Sequence, residues 1–215
     1  MKHIPNFITS LNLAAGFIAI IFAANGDLIT ASWFILAAMI FDFLDGLSAR
    51  LLKAYSDIGK ELDSLADVVS FGVAPALIIY QMLNNSLSVF APGMMNTDGL
   101  LASIVLIFPV IMPICGALRL AKFNIDTTQA KSFKGLPIPA NALAVISVVI
   151  ASHYSHSQLI DSFTASPLLL ILFTIILSLL MVTVPLKFAT LEGLKVTVTS
   201  WYAPDAIVPV AQVPE

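Results

Sequence analysis

The chain has 215 residues, of which 59% are hydrophobic and 11% charged, and its mean hydropathy is +0.96. Those proportions exclude an ordinary soluble domain and predict an all-α protein that crosses a membrane several times. Ten Lys and Arg against thirteen Asp and Glu leave a formal charge of −3, a sum that says little about partners, so the placement of the charges carries the information; no nucleic-acid partner is expected. The one cysteine, Cys115, lies in an apolar segment, cannot form an intrachain disulfide and reads as a packed thiol. No small-residue cleavage pattern follows Met1 to Asn6, so the first apolar run is expected to be a span rather than a removed signal.

Six apolar segments of spanning length follow in order: Phe7 to Ala24, Leu28 to Leu52, Leu65 to Leu83, Leu100 to Leu120, Leu136 to Tyr154 and Pro167 to Val184. Lipid offers no partner to a peptide group, so each is expected to be a helix. The basic residues sort to one side of this pattern. Lys2 precedes the first span, Arg50, Lys53 and Lys60 follow the second, Arg119, Lys122, Lys131 and Lys134 follow the fourth, and Lys187 and Lys195 follow the sixth. The other three connections have no Lys or Arg, which predicts six transmembrane helices with both termini cytoplasmic. Pro75, Pro109, Pro113, Pro137 and Pro139 predict kinks in or at the start of spans three to five. His153 and His156 fall on the opposite side from the lysines and read as solvent-facing. The predicted organisation is a membrane domain over residues 1–187 and an interfacial or unstructured tail over 188–215, with Trp201 and Tyr202 near its middle.

Four carboxylates interrupt the hydrocarbon. Asp42 and Asp45 lie at i, i+3 near the end of the second span, and Asp63 and Asp67 at i, i+4 where the third begins, so each pair shares a helix face. The short connection between these spans predicts an antiparallel hairpin on which the two faces meet. On a continuous helix Asp42 would lie about 12 Å further into the membrane than Arg50. Four ionised carboxylates at that depth need neutralising, and Arg50, Lys53 and Lys60 are too few and free to reach water. An all-oxygen site without His or Cys suits a hard divalent ion, Mg²⁺ or Mn²⁺, and Mg²⁺ usually shares its coordination with substrate phosphates. Gly46, Ala49 and Gly59 would let a bulky group approach the backbone, and Arg50 could hold a phosphate oxygen. Taken singly, Gly46 and Ala49 equally suit a close helix contact, and Arg50 a helix end.

Together these residues read D-x2-D-G-x2-A-R-x8-G-x3-D-x3-D. The pattern resembles the signature of the CDP-alcohol phosphotransferase family, membrane enzymes that move a phosphatidyl or similar group from a CDP-linked donor to an alcohol and release CMP. The resemblance implies that Asp42, Asp45, Asp63 and Asp67 hold one or two divalent ions against the donor diphosphate, with Asp67 also the base for the acceptor hydroxyl. It further implies that Asn6, Thr9, Gly46, Ala49, Arg50, Ser56 and Gly59 receive CDP-diacylglycerol, and that the protein is a homodimer in a bacterial cytoplasmic membrane with its site on the cytoplasmic side.

The flanks bear on the acceptor. IPNFITSLNLAAGFIAI at the start, SFGVAPAL from Ser70, LRLAKFN from Leu118 and FKGLPIPA from Phe133 resemble the serine-accepting branch of that family. Lys122 stands where Arg is expected in LRLARFN, which keeps the charge and loses the planar fork. Glycerol-3-phosphate-accepting relatives typically carry Arg where this chain has Asn12. Arg119, Lys122, Asn124 and Lys134 are the candidates to bind the carboxylate of L-serine. The alternatives are the same chemistry on glycerol 3-phosphate or an inositol phosphate, an archaeal-type lipid donor, or an ion-coupled transporter. A transporter would spread its acids along a path instead of concentrating them at one connection.

Overall fold

The computed structural model describes residues 3–90, 100–125, 135–155 and 157–183, and every regular element among them is helical. Helices α1 (Ile4–Ala24) and α2 (Leu28–Leu51) are followed by α3 (Asp57–Asp67), which runs through a π-helical turn (Val68–Val73) into α4 (Ala74–Phe90). Next come α5 (Leu100–Ile107), a 3₁₀ turn (Phe108–Val110) and α6 (Ile111–Ile125), then α7 (Ile138–Tyr154), α8 (Gln158–Ala165) and α9 (Pro167–Thr183). Lys2, Lys131, Lys134, His156, Lys187, Lys195 and the whole tail 188–215 lie outside the described residues.

All six predicted apolar segments are helical, but they differ in reach. Four stretches are long and apolar enough to cross a membrane: α1, α2, Asp57–Val89 and Ala102–Asn124. The pair α8 and α9 supplies a fifth when its 86° bend is counted within one span, and α7 is an apolar helix of 17 residues. Pro137 and Pro139 explain why α7 is short: they form its N-cap and first turn, where a missing N–H costs nothing, so they start the helix instead of kinking it. Pro109 sits in the 3₁₀ turn. Pro75 stands two residues beyond the π-helical turn, whose wider winding accommodates the carbonyl that the proline ring cannot serve.

The core forms where these helices cross. Phe71, Ile78, Ile79 and Leu83 of the long third rod are fully buried together with Ile35, Met112, Ile138, Ile146 and Leu170. Large apolar side chains such as Phe7, Phe43, Leu65, Ile107 and Leu168 face outward, an arrangement stable only against hydrocarbon. Helix α1 packs against α2, α3, the π-helical turn and α4, whereas α2 and α3 pack little on each other. The predicted hairpin is therefore open, with α1 as its back wall.

Candidate active site and metal centre

Local chemistry sets the hairpin. Helix α2 closes with Lys53 N–H donating to Arg50 C=O at 3.2 Å and Ala54 N–H to Ala49 C=O at 3.0 Å, and Lys53 takes the left-handed φ of 49° that this reversal requires. Three residues later Ser56 caps α3 by accepting from Gly59 N–H at 3.0 Å. The chain thus turns back within five residues, and the acidic faces of α2 and α3 confront each other across the gap.

Asp42, Asp63 and Asp67 each bring a carboxylate oxygen to within 4.8 Å of the others. Asp45 lies outside that trio yet close enough for its charge to act on Asp42 and Asp63. Asp45 and Asp67 are 6% and 9% exposed, so water does little to relieve their mutual repulsion. Asp45 Oδ2 and Asp63 Oδ1 are buried and have no hydrogen-bond partner among the described residues. Clustered carboxylates with unmatched oxygens and no soft ligand fit a hard divalent cation. Thr9, which donates to Pro5 C=O at 3.0 Å, stands beside Asp45.

The acids continue into a cavity of about 230 Å³. Asn6, Thr9, Gly46, Ala49, Arg50, Ser56 and Gly59, the whole predicted donor-binding set, line it, and so do Asp45 and Asp63. Gly59 is needed for proximity: a Cβ there would come within 2.9 Å of both Asn6 Oδ1 and Ser56 Oγ. Tyr55 and Lys60 also line the cavity; Tyr55 is not among the predicted site residues and Lys60 is expected only as a basic residue of the connection, although it adjoins Gly59 on the first turn of α3.

The predicted acceptor residues divide. Arg119 on α6 is half-buried, its charge reaches Asp67, and its buried Nε has no partner among the described residues. Asn124 donates to Ser64 Oγ at 3.1 Å, tying α6 to the residue beside Asp63. Lys122 is exposed in the last turn of α6, and Lys134 lies outside the described residues. Asn12 was read only as a marker of acceptor type, but it is fully buried and its Nδ2 donates to Asp67 Oδ1 at 3.4 Å. Nothing in the local pattern could signal that contact, because 55 residues separate the partners.

An all-helical membrane protein with an acid-walled cavity between its first three helices is equipped to hold a divalent ion against a phosphorylated ligand. The chain matches the family described as CDP-alcohol phosphatidyltransferase over residues 2–201, and it belongs to that family. Among relatives, it is 37% identical over 182 residues to the CDP-diacylglycerol–serine O-phosphatidyltransferase of Bacillus subtilis, covering 85% of this chain and 88% of that one. It is 38% identical over 154 residues to the protein of the same name from Helicobacter pylori strain J99, covering 71% and 59%. It is 36% identical over 154 residues to the archaetidylserine synthase of Methanothermobacter thermautotrophicus, covering 71% and 60%.

Proposed function

We propose that the protein is a transferase of phospholipid biosynthesis that moves the phosphatidyl group of CDP-diacylglycerol to L-serine, releasing CMP and forming phosphatidylserine. The observation that carries this reading is the convergence of Asp42, Asp63 and Asp67 at one end of a cavity walled by the donor-binding residues. Family membership and the names of the serine-accepting relatives support it.

The residues divide the work. Arg50, Ser56, Asn6 and Thr9 hold the cytidine diphosphate in the cavity, and Gly46, Ala49 and Gly59 leave room for it. Asp42, Asp45, Asp63 and Asp67 hold Mg²⁺ or Mn²⁺, which when bound neutralises the diphosphate and stabilises CMP as a leaving group. Asp67 takes the proton of the serine hydroxyl as that oxygen bonds to phosphorus and the phosphorus–oxygen bond to CMP breaks. Arg119 receives the serine carboxylate with its unmatched buried guanidinium edge. Lys122 adds positive charge at the end of α6, Lys134 is a further candidate for the serine carboxylate, and Asn124 braces α3 through Ser64.

The chain spans the membrane six times, with α7 as the fifth crossing and the bent α8–α9 pair contributing the sixth. Segregation of the Lys and Arg residues to alternate connections supports both termini and the site lying on the cytoplasmic side, and the membrane is the bacterial cytoplasmic membrane. The membrane domain covers residues 1–187, with 188–215 as an appended tail, and two copies form a homodimer. The deciding experiment supplies purified protein with CDP-diacylglycerol, a divalent ion and a panel of alcohols. CMP release with L-serine is expected; release only with glycerol 3-phosphate or an inositol phosphate would overturn the acceptor.

A further inference from the structure

Three contacts link α1 to the rod that carries Asp67. Asn12 Nδ2 donates to Asp67 Oδ1 at 3.4 Å, Ser70 Oγ donates to Asn12 C=O at 3.1 Å, and Gly16, one turn beyond Asn12, lies directly against Ser70. Asn12, Ser70 and Asp67 are all buried, so none of these contacts is shared with bulk water. Ser70 belongs to the π-helical turn that begins immediately after Asp67. The contacts therefore close a small ring: Asp67 to Ser70 through the chain, Ser70 to the Asn12 backbone, and the Asn12 side chain back to Asp67.

We infer that Asn12 is a positioning residue for Asp67, held in place by a clamp between Gly16 and Ser70. Asp67 faces Asp42 and Asp63, and repulsion from both would turn its carboxylate away. The Asn12 amide engages Oδ1 and so restricts rotation of the carboxylate, with the second oxygen left without that donor. The clamp explains why α1 approaches the π-helical turn so closely: any side chain at position 16 would overlap Ser70, and withdrawal of Ser70 would move Asn12 with it.

This inference rests on the proposed function only in giving Asp67 a role in turnover, and it holds for whichever alcohol the enzyme accepts. The test compares Asn12→Leu, close in volume and unable to donate, with the unaltered full chain in detergent. CMP release is followed with the acceptor found active in the panel, alongside thermal unfolding and Mn²⁺ binding. Loss of a hydrogen bond to a buried carboxylate predicts a fall of about 10- to 100-fold in kcat. KM for CDP-diacylglycerol should stay within about twofold, and Tm should be unchanged. Asn12→Gln, which restores a donor on a longer arm, should recover part of kcat. A kcat equal to that of the unaltered protein, or a loss matched by a fall in Tm, would overturn the assignment.

A second pair keeps the idea testable if Asn12→Leu does not fold. Gly16→Ala should lower kcat by crowding Ser70, and Ser70→Ala, which removes only the hydroxyl that donates to Asn12 C=O, should lower it as well while KM for CDP-diacylglycerol stays within about twofold. An unchanged kcat in Ser70→Ala would sink the clamp. No CMP release from the unaltered protein with any alcohol would reject the proposed function itself, a result separate from either comparison.

Discussion

Two cavities among the described residues lie at opposite ends of α1, about 30 Å apart at 1.5 Å per residue, and the larger of the two is not the one walled by the clustered acids. The far cavity, of about 500 Å³, is bounded by Gly26 to Ile29, the end of α4, the end of α7 and α8. Several of its polar groups are answered locally: Asp27 accepts from Thr30 N–H, Ser86 donates to Ala165 C=O, and Thr164 donates to Ile160 C=O. The near cavity has under half the volume, yet Asp45 and Asp63 each turn an unmatched carboxylate oxygen into its surroundings. Unanswered carboxylate oxygens mark the acid-walled end more reliably than space does, because burying a charged group without a partner costs far more than burying a neutral one.

The largest effects should therefore come from the acids. Asp67→Asn should lower CMP release by about 10²- to 10⁴-fold, the usual contribution of a general base, with the protein still folded by thermal unfolding. Retained turnover would remove Asp67 from that role. Chelation of divalent ions with EDTA should abolish CMP release, and added Mg²⁺ or Mn²⁺ should restore it. The same treatment should stabilise nothing at the far cavity, where Asp27 is committed to its helix cap.

Gly59→Ala tests the donor wall with an intermediate effect. The added methyl must displace both Asn6 Oδ1 and Ser56 Oγ, each the end of a side chain, so the cavity changes shape and the cap on α3 loosens without breaking the helix. Pushing one side chain off its preferred rotamer costs on the order of 1 kcal/mol, which predicts a rise of up to about tenfold in KM for CDP-diacylglycerol. An unchanged KM with a lowered kcat would mean that the wall shapes the transition state instead of the donor site.

Much of the near cavity was legible because its chemistry is written within 26 residues of one another. Acids at i, i+3 and i, i+4 predict shared faces from helical geometry alone, and a short basic connection predicts that the faces meet. The trio of Asp42, Asp63 and Asp67 follows from that logic, as does the line of small residues along the wall. The contribution of α1 was legible only where Asn6 and Thr9 matched a family pattern. Asn12 and Ser70 were not, since their contacts span 55 and 58 residues and depend on how α1 crosses the rod. Proline content flagged Pro75 but could not tell a kink from a π-helical turn, because both answer the same missing donor. Each of the six apolar segments emerged as helix over most of its described length. Their unequal reach did not show in hydropathy, because the prolines that begin α7 and the sharp turn into α9 act through backbone geometry.

The smallest expected effect lies at the far cavity and sharpens the contrast most directly. Asp27 is exposed, and hydrogen bonds from the Thr30 hydroxyl and amide hold its carboxyl below the usual carboxylate range. A carboxyl whose folded value is depressed stabilises the fold at pH above its unfolded value, and that contribution disappears as the pH falls through the folded value. Asp27→Ala should accordingly lower Tm slightly at neutral pH, with the difference from the unaltered protein vanishing under acid conditions. CMP release should stay within about twofold, as for a surface change remote from the chemistry. If the substitution instead suppressed turnover to the extent of Asp67→Asn, the far cavity would belong to the reaction, and unanswered polarity would lose its standing as the guide to the site.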